Sequence, residues 1–312
     1  MKEYIEFSDK VFINDIISYI EKLSFQYKLS SNKNLVINGV SNGLFKVDGT
    51  LCFIENIKDI EDINEIPNSL ILTNSQRSDD FNLFNILYVD DARYLFIKLL
   101  ELFNEKDLLN SFTSSLNCKK SFISSKANIH PSVILEDNVV VEDNVTISAG
   151  SVIKNGTYIS ANTIIRENCT IGCDGIALYK AKNGKVMRFP HIAGIYIGKN
   201  VEIGANSVIV SGTLSNTIID DDTVIGNLCN IGHGVRIGKK VWLSVGGLIG
   251  GNCIIENHVT MGLSVSLKDN LFITEGSTIG MGSVVTKSLK VKTTVFGNPA
   301  KPLRPLNVGP KR

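Results

Sequence analysis

Histidine and cysteine are the residue types in this chain that most readily do chemistry near neutral pH, and both are scarce. The 312 residues hold four histidines, His130, His191, His233 and His258. An imidazole near its ordinary pKa can take up or release a proton there. His233 lies in the stretch Asn227–Gly238, NLCNIGHGVRIG. Gly251 stands 18 residues further on, and Asp269 after another 18. A backbone that returns on itself with that period puts all three on one line. A single imidazole on such a line suits proton transfer, whereas a zinc-type site needs several converging donors, so no metal is expected. The six cysteines, Cys52, Cys118, Cys169, Cys173, Cys229 and Cys253, do not supply them. Only Cys169 and Cys173 are close, with three residues between them, and no second pair completes a site. They read as reduced thiols in a cytoplasmic protein.

The element that would position these residues is a repeat. From Ile123 to Ile171 every sixth residue is aliphatic; the register returns at Ile197, Ile203 and Ile209, then runs unbroken from Ile219 to Val285. A helix would show spacings of three and four, and an ordinary strand a spacing of two. A period of six means a short strand followed by a tight corner, and Gly, Asn, Asp and Ser crowd the intervening positions as corners require. Three steps close one triangular coil, the hexapeptide parallel β-helix. Twenty-four inward positions make eight coils.

Two departures break the register: an excursion from Gly172 to Tyr196 and a four-residue insertion within Val210–Ile218. Register arithmetic places both at the kind of corner that carries His233, Gly251 and Asp269. Loops converging on one edge of a rigid scaffold make a cleft, the usual place for a site. His130 and His258 fall at the other two kinds of corner and read as solvated turn residues. His191 lies inside the excursion.

The remaining sequence reads as a small N-terminal α/β domain, residues 1–105. It shows a helix over Ile13–Tyr27 capped at Ser8 or Asp9, strands around Asn34–Val40, Thr50–Ile54 and Leu70–Thr73, and a second helix at Asp91–Phe103. A linker spans 106–120, the β-helix 121–287, and a last strand with an extended tail 288–312. Thirty-two Lys+Arg against 31 Asp+Glu leave a charge of +1, which argues against a nucleic-acid partner. No apolar run is long enough for a membrane span, and the start, MKEYIEFSDK, lacks the order of a secretory signal.

The stretch Asn227–Gly238, the excursion IGCDGIALYKAKNGKVMRFPHIAG and the segment EIGANSVIVSGTLSNTIIDDDTVIG resemble the UDP-3-O-acylglucosamine N-acyltransferases of lipid A synthesis and their relatives. The stretches INGV, GTLCFIENIKD and NILYVDDARYLFIKLLELF resemble that family's uridine-binding domain. The resemblance implies a left-handed β-helix and a homotrimer with active sites between neighbouring subunits. It makes His233 the general base, puts the Gly251 backbone N–H at the developing oxyanion, and lets Asn227 orient the base or the sugar. It implies Phe53 and Asn56 as contacts to the nucleotide base. Tyr179, Arg188, Phe189 and His191 are candidate sugar-nucleotide contacts, since aromatics stack and arginine can hold a diphosphate.

The chain also departs from that family. The family's Asp-Arg pair in the small insertion is Val210 and Ser211 here, and its second histidine is replaced around Asp269–Asn270. An aromatic that follows Lys58 in the family is Asp59. In place of C-terminal helices that help recruit acyl carrier protein stands VFGNPAKPLRP, similar to the tail of coenzyme-A-dependent hexapeptide acetyltransferases. There Gly297 and Asn298 would turn the chain, and Lys301 and Arg304 would meet coenzyme A phosphates. The sequence therefore points first to an N-acetyltransferase using acetyl-CoA as co-substrate. Its acceptor would be the amine of a nucleotide-linked sugar, UDP favoured over dTDP, in lipopolysaccharide or O-antigen synthesis. The alternatives are the lipid A N-acyltransferase itself, fed by hydroxyacyl carrier protein, and a non-catalytic trimeric β-helix scaffold.

Overall fold

A two-residue strand followed by a sharp corner is stable only where the corner residue tolerates a left-handed backbone. Asn138, Asn144, Asn162, Asn168, Asn200, Asn206, Asn252 and Asn270 all have φ between 53° and 62°. Asparagine tolerates that region better than most side chains because its short amide can hydrogen-bond locally. The computed structural model describes residues 4–30, 35–41, 47–54, 68–74, 85–109 and 121–303. It divides into two compact units.

The larger unit takes Cys118–Gly175, Gly194–Gly212 and Asn216–Arg312 and is a parallel β-helix. Three parallel sheets form its faces. The first has eight strands, carrying inward residues from Ile123 to Ile273. The second has ten, from Ile129 through Ile279 to a terminal hairpin of Thr294–Phe296 and Lys301–Pro302. The third has eight, from Leu135 to Val285. Ile147 pairs with Ile129 below and Ile165 above, the 18-residue step expected. Across the excursion Ile159 pairs with Ile197, and across the insertion Ile197 pairs with Ile219, so neither departure adds a coil. The inward aliphatics stack into one continuous core, loosening only in the first coil, where Ile129 and Leu135 are partly buried.

The smaller unit comprises Met1–Asn117, Ile176–Ala193 and Thr213–Ser215. Its elements are β1 (Tyr4–Phe12), α1 (Ile13–Lys22), β2 (Tyr27–Ser30), β3 (Val36–Ser41), β4 (Thr50–Phe53), β5 (Leu70–Thr73), β6 (Asn85–Val89) and α2 (Ala92–Glu105). They build one sheet of order β1-β3-β4-β5-β6-β2, parallel through β3, β4, β5 and β6 and closed by antiparallel β1 and β2. Strands β1, β2 and β6 were not expected from the sequence, and the first helix differs at both ends. The cap expected at Ser8 or Asp9 is instead part of β1, and Phe12 stands at the helix start, its N–H donating to Asp15 Oδ2 at 3.1 Å. Helix α1 stops at Lys22 rather than Tyr27 because Ser24 enters the left-handed region at φ 59°, and the chain then extends into β2. Helix α2 starts as expected, with Asp91 Oδ1 accepting from the Tyr94 N–H at 3.0 Å.

Each inward aliphatic is packed against the coils above and below, so a truncation there leaves a cavity. Ile203→Ala, at a fully buried position, should lower unfolding free energy by about 2–5 kcal/mol. Denaturant unfolding followed by far-ultraviolet dichroism checks this; a loss below about 0.5 kcal/mol would mean that the inward column is not the core.

Candidate active site

The corner joining the third face to the first is where the chain twice leaves the coil. Cys173 ends the third-face strand before the excursion, and Val210 ends the one before the insertion. The stems of both departures are tied together within the β-helix. Ser211 N donates to Cys173 O at 2.9 Å, Gly194 N to Asn216 Oδ1 at 2.9 Å, and Thr217 N to Gly194 O at 3.1 Å. Thr217 Oγ1 in turn donates to Val210 O at 2.7 Å and accepts from the Gly234 N–H at 2.9 Å. The residue next to His233 is thereby anchored to the stem of the insertion.

His233 and Gly251 are successive residues of one corner column, one coil apart. A Cβ built on Gly251 would stand 2.6 Å from both Nε2 and Cε1 of His233. Only the missing side chain lets the imidazole lie against that backbone. The flanking ladder bonds are donated by Gly250 N, to Leu267 O, and by Asn252 N, to His233 O. His233 is half-buried. Burial pushes its imidazole below the ordinary histidine value of 6.5, against smaller upward pulls from a hydrogen bond with the Asn252 side chain and from the negative charge of Asp269. The corner thus presents a neutral imidazole beside an unencumbered stretch of backbone.

In the smaller unit a second group of candidate residues comes together. Phe53, Tyr179 and Phe189 surround the Arg93 guanidinium, whose carbon lies 5.8, 5.0 and 5.9 Å from their ring centroids. Phe189 is buried against Phe53 and Phe96, with centroids 6.1 Å away in each case. Tyr179 Oη donates to Asp91 Oδ1 at 2.7 Å, and Lys182 N donates to Asp91 Oδ2 at 2.9 Å. The capping carboxylate of α2 therefore also fastens the excursion hairpin, Leu178–Lys180 paired with Val186–Arg188. Arg93 Nε is buried and meets no acceptor among the described residues.

The other candidates lie apart from these clusters. Asn227 occupies the preceding corner, between the second and third faces, where its Oδ1 accepts from the Ala205 N–H at 2.9 Å; the structure does not bring it to His233 within one chain. Arg188 is exposed on its strand and His191 is half-buried. Gly297, at φ 100°, and Asn298 form the turn of the terminal hairpin, and Lys301 is exposed on its second strand. Asn56 and Arg304 lie outside the described residues. Sequence reasoning missed Arg93, Asp91 and Asn252. Asp91 was legible only as the first residue of the expected second helix, and Arg93 gave no signal because its cage is built from segments far apart in the chain. Asn252 is recoverable by register, one residue after Gly251.

No protein-family model matches the chain. Over 133 residues it is 35% identical to a probable UDP-3-O-acylglucosamine N-acyltransferase 2, mitochondrial, of Arabidopsis thaliana, covering 43% of this chain and 44% of that one. Over 120 residues it is 33% identical to the UDP-3-O-acylglucosamine N-acyltransferase of Albidiferax ferrireducens, covering 38% and 36%. The chain thus spans less than half the length of these relatives. Among solved structures it is similar to the UDP-N-acetylglucosamine acyltransferase of Francisella novicida, with 23% identity, a TM-score of 0.49, and coverage of 59% and 68%. The names of the two relatives agree with the resemblance read from the sequence.

Because burial outweighs the two upward pulls, His233 should titrate below 6.5 in the folded protein. As pH falls from about 6.5 toward that lower value, the unfolded chain binds a proton that the folded chain does not, so stability is lost across that window. Nuclear magnetic resonance titration of the histidine ring signals, with His233→Gln for assignment, reads the midpoint directly. A midpoint at or above 6.5 would contradict the burial argument.

Proposed function

We propose that the chain is an acyltransferase that moves an acyl group from a thioester to the amino group of a nucleotide-linked sugar. The observation that carries this reading is the contact of the His233 imidazole with the Gly251 backbone. An amine that is mostly ammonium at neutral pH must lose a proton before it can attack. His233, held neutral by burial, takes that proton directly or through one water. The nitrogen–carbon bond forms as the carbonyl becomes tetrahedral, and the Gly251 N–H faces the developing oxyanion. Collapse breaks the carbon–sulfur bond; the proton held by His233 passes to the departing thiolate, and the second proton, which the nitrogen sheds as it becomes an amide, returns to the imidazole and from there to solvent. A half-exposed corner supplies only one wall for such a reaction; a second copy in a homotrimer supplies the other.

Phe53, with Asn56, is the contact proposed for the nucleotide base, uridine favoured. The names of the relatives speak for N-acyl transfer to a UDP-3-O-acylglucosamine rather than for acetyl transfer, and a hydroxyacyl carrier protein is then the donor. One observation favours the second reading, acetyl transfer from acetyl-CoA. The chain closes on a hairpin, turned at Gly297 and Asn298, that leaves Lys301 exposed for a phosphate.

Thiol release with UDP-amino sugars, run separately with hydroxyacyl carrier protein and with acetyl-CoA, separates the two donors. The expected result is turnover with one donor and a fall of about 10²–10⁴-fold in His233→Ala. Native turnover that survives His233→Ala undiminished, or none with either donor on a folded oligomer, would sink the proposal and leave a scaffold.

A further inference from the structure

Arg93 is a cation whose donors the smaller unit leaves unused. A guanidinium is a planar fork of N–H groups with no acceptor of its own. No hydrogen bond or ion pair joins this one to a described residue; it meets only the rings of Phe53, Tyr179 and Phe189. The cage stands at a particular edge of the sheet. Phe53 ends β4, which pairs in parallel with β5, as β5 does with β6, and Arg93 is the second residue of the helix that follows β6. Phe53 and Arg93 therefore share the carboxyl edge of the parallel strands, the place where open α/β sheets take their ligands. Tyr179 and Phe189 close over it from the excursion.

Filling space among the rings does not call for a charge. An apolar stem would pack there without water being stripped from a cation. Ring faces attract the guanidinium, but they do not use its fork. The neighbouring carboxylate does not use it either. Asp91 Oδ1 accepts from the Tyr94 N–H at 3.0 Å and from Tyr179 Oη at 2.7 Å, and its Oδ2 accepts from the Lys182 N–H at 2.9 Å. Arg93 Nε is enclosed, yet the residue as a whole is only half-buried, so the outer edge of the fork stays open. Its place in the first turn of α2 adds the positive end of the helix dipole. A planar fork with unused donors in a positive setting selects a phosphoryl group, whose oxygens accept two N–H bonds at once.

We propose that Arg93 is a phosphoryl-binding residue, held in place by Phe53, Tyr179 and Phe189, and that its ligand is the diphosphate of a nucleotide. Phe53 is both a wall of this cage and the contact proposed for the base, so base and phosphate fall within the span of one nucleotide. The diphosphate role thus goes to Arg93 rather than to Arg188, which is exposed on its strand. A uridine nucleotide as the occupant rests on the acyl-transfer reading; the recognition of a phosphoryl group does not. Coenzyme A also carries a diphosphate and is the other source of the same chemistry.

The test is calorimetric titration of the full chain with UDP, uridine and coenzyme A. Arg93→Met keeps a stem among the rings and removes the fork; Arg93→Gln is the second variant in case methionine unsettles the fold, and melting curves verify both. The native protein should bind UDP at least about tenfold more tightly than uridine. In the variants UDP binding should weaken by about ten- to a hundredfold while uridine binding stays within about twofold. Unchanged UDP affinity in a folded variant would overturn the proposal, as would an equal loss of UDP and uridine or a native protein that binds neither UDP nor coenzyme A. A loss confined to coenzyme A would uphold the phosphoryl site and make the acyl donor its occupant. UDP bound through Arg93 by a chain that releases no thiol with either donor would uphold the site and remove the acyl-transfer reading. Turnover with native UDP binding in Arg93→Met would do the reverse.

Discussion

The main-chain ladder between successive coils is the constraint on which everything else rests. Main-chain amides bond from coil to coil, as Asn230 N does to Gly247 O and Gly232 N to Ile249 O. Parallel strands in a sheet stand about 4.8 Å apart, so the ladder fixes the rise of every coil and the 18-residue return. Side chains 18 residues apart are therefore neighbours whatever their chemistry. His233 and Gly251 meet because they are one return apart, and the Asn252–Asn270 pair repeats the same geometry one column over. The candidate residues His233 and Gly251 are themselves part of the repeat.

That origin explains the electrostatics. A corner imidazole on an ordinary solvated edge would keep its usual titration. Here the ring lies against backbone with no side chain to separate them, and the desolvation holds it neutral. A neutral imidazole is the form that can accept a proton from an amine. The opposing pulls from Asn252 and Asp269 are smaller.

Legibility in the sequence followed the same division. The β-helix, its coil number and the corner shared by His233, Gly251 and both departures were readable because a strict period converts sequence separation into position. The smaller unit was harder. Strand β1 hides behind its charged middle, Ser8 to Lys10, where the pairing register with β3 shifts between Glu6 and Val11. Strand β6, NILYV, is five residues long and too short to show a period. The bond between Tyr179 and Asp91 joins residues 88 apart, and no local pattern announces that the excursion hairpin belongs to the smaller unit. Asn227 sits on the preceding corner, where its Oδ1 accepts from the Ala205 N–H.

The central claim is that acyl transfer takes place on the edge shared by His233 and Gly251. A crystal structure with coenzyme A or a carrier-protein phosphopantetheine and a UDP-amino sugar bound tests it most directly. The account predicts the sugar nitrogen within about 3 Å of the His233 ring and the thiol end within reach of the Gly251 N–H. A thiol end seated on either of the other two edges of the prism would contradict it.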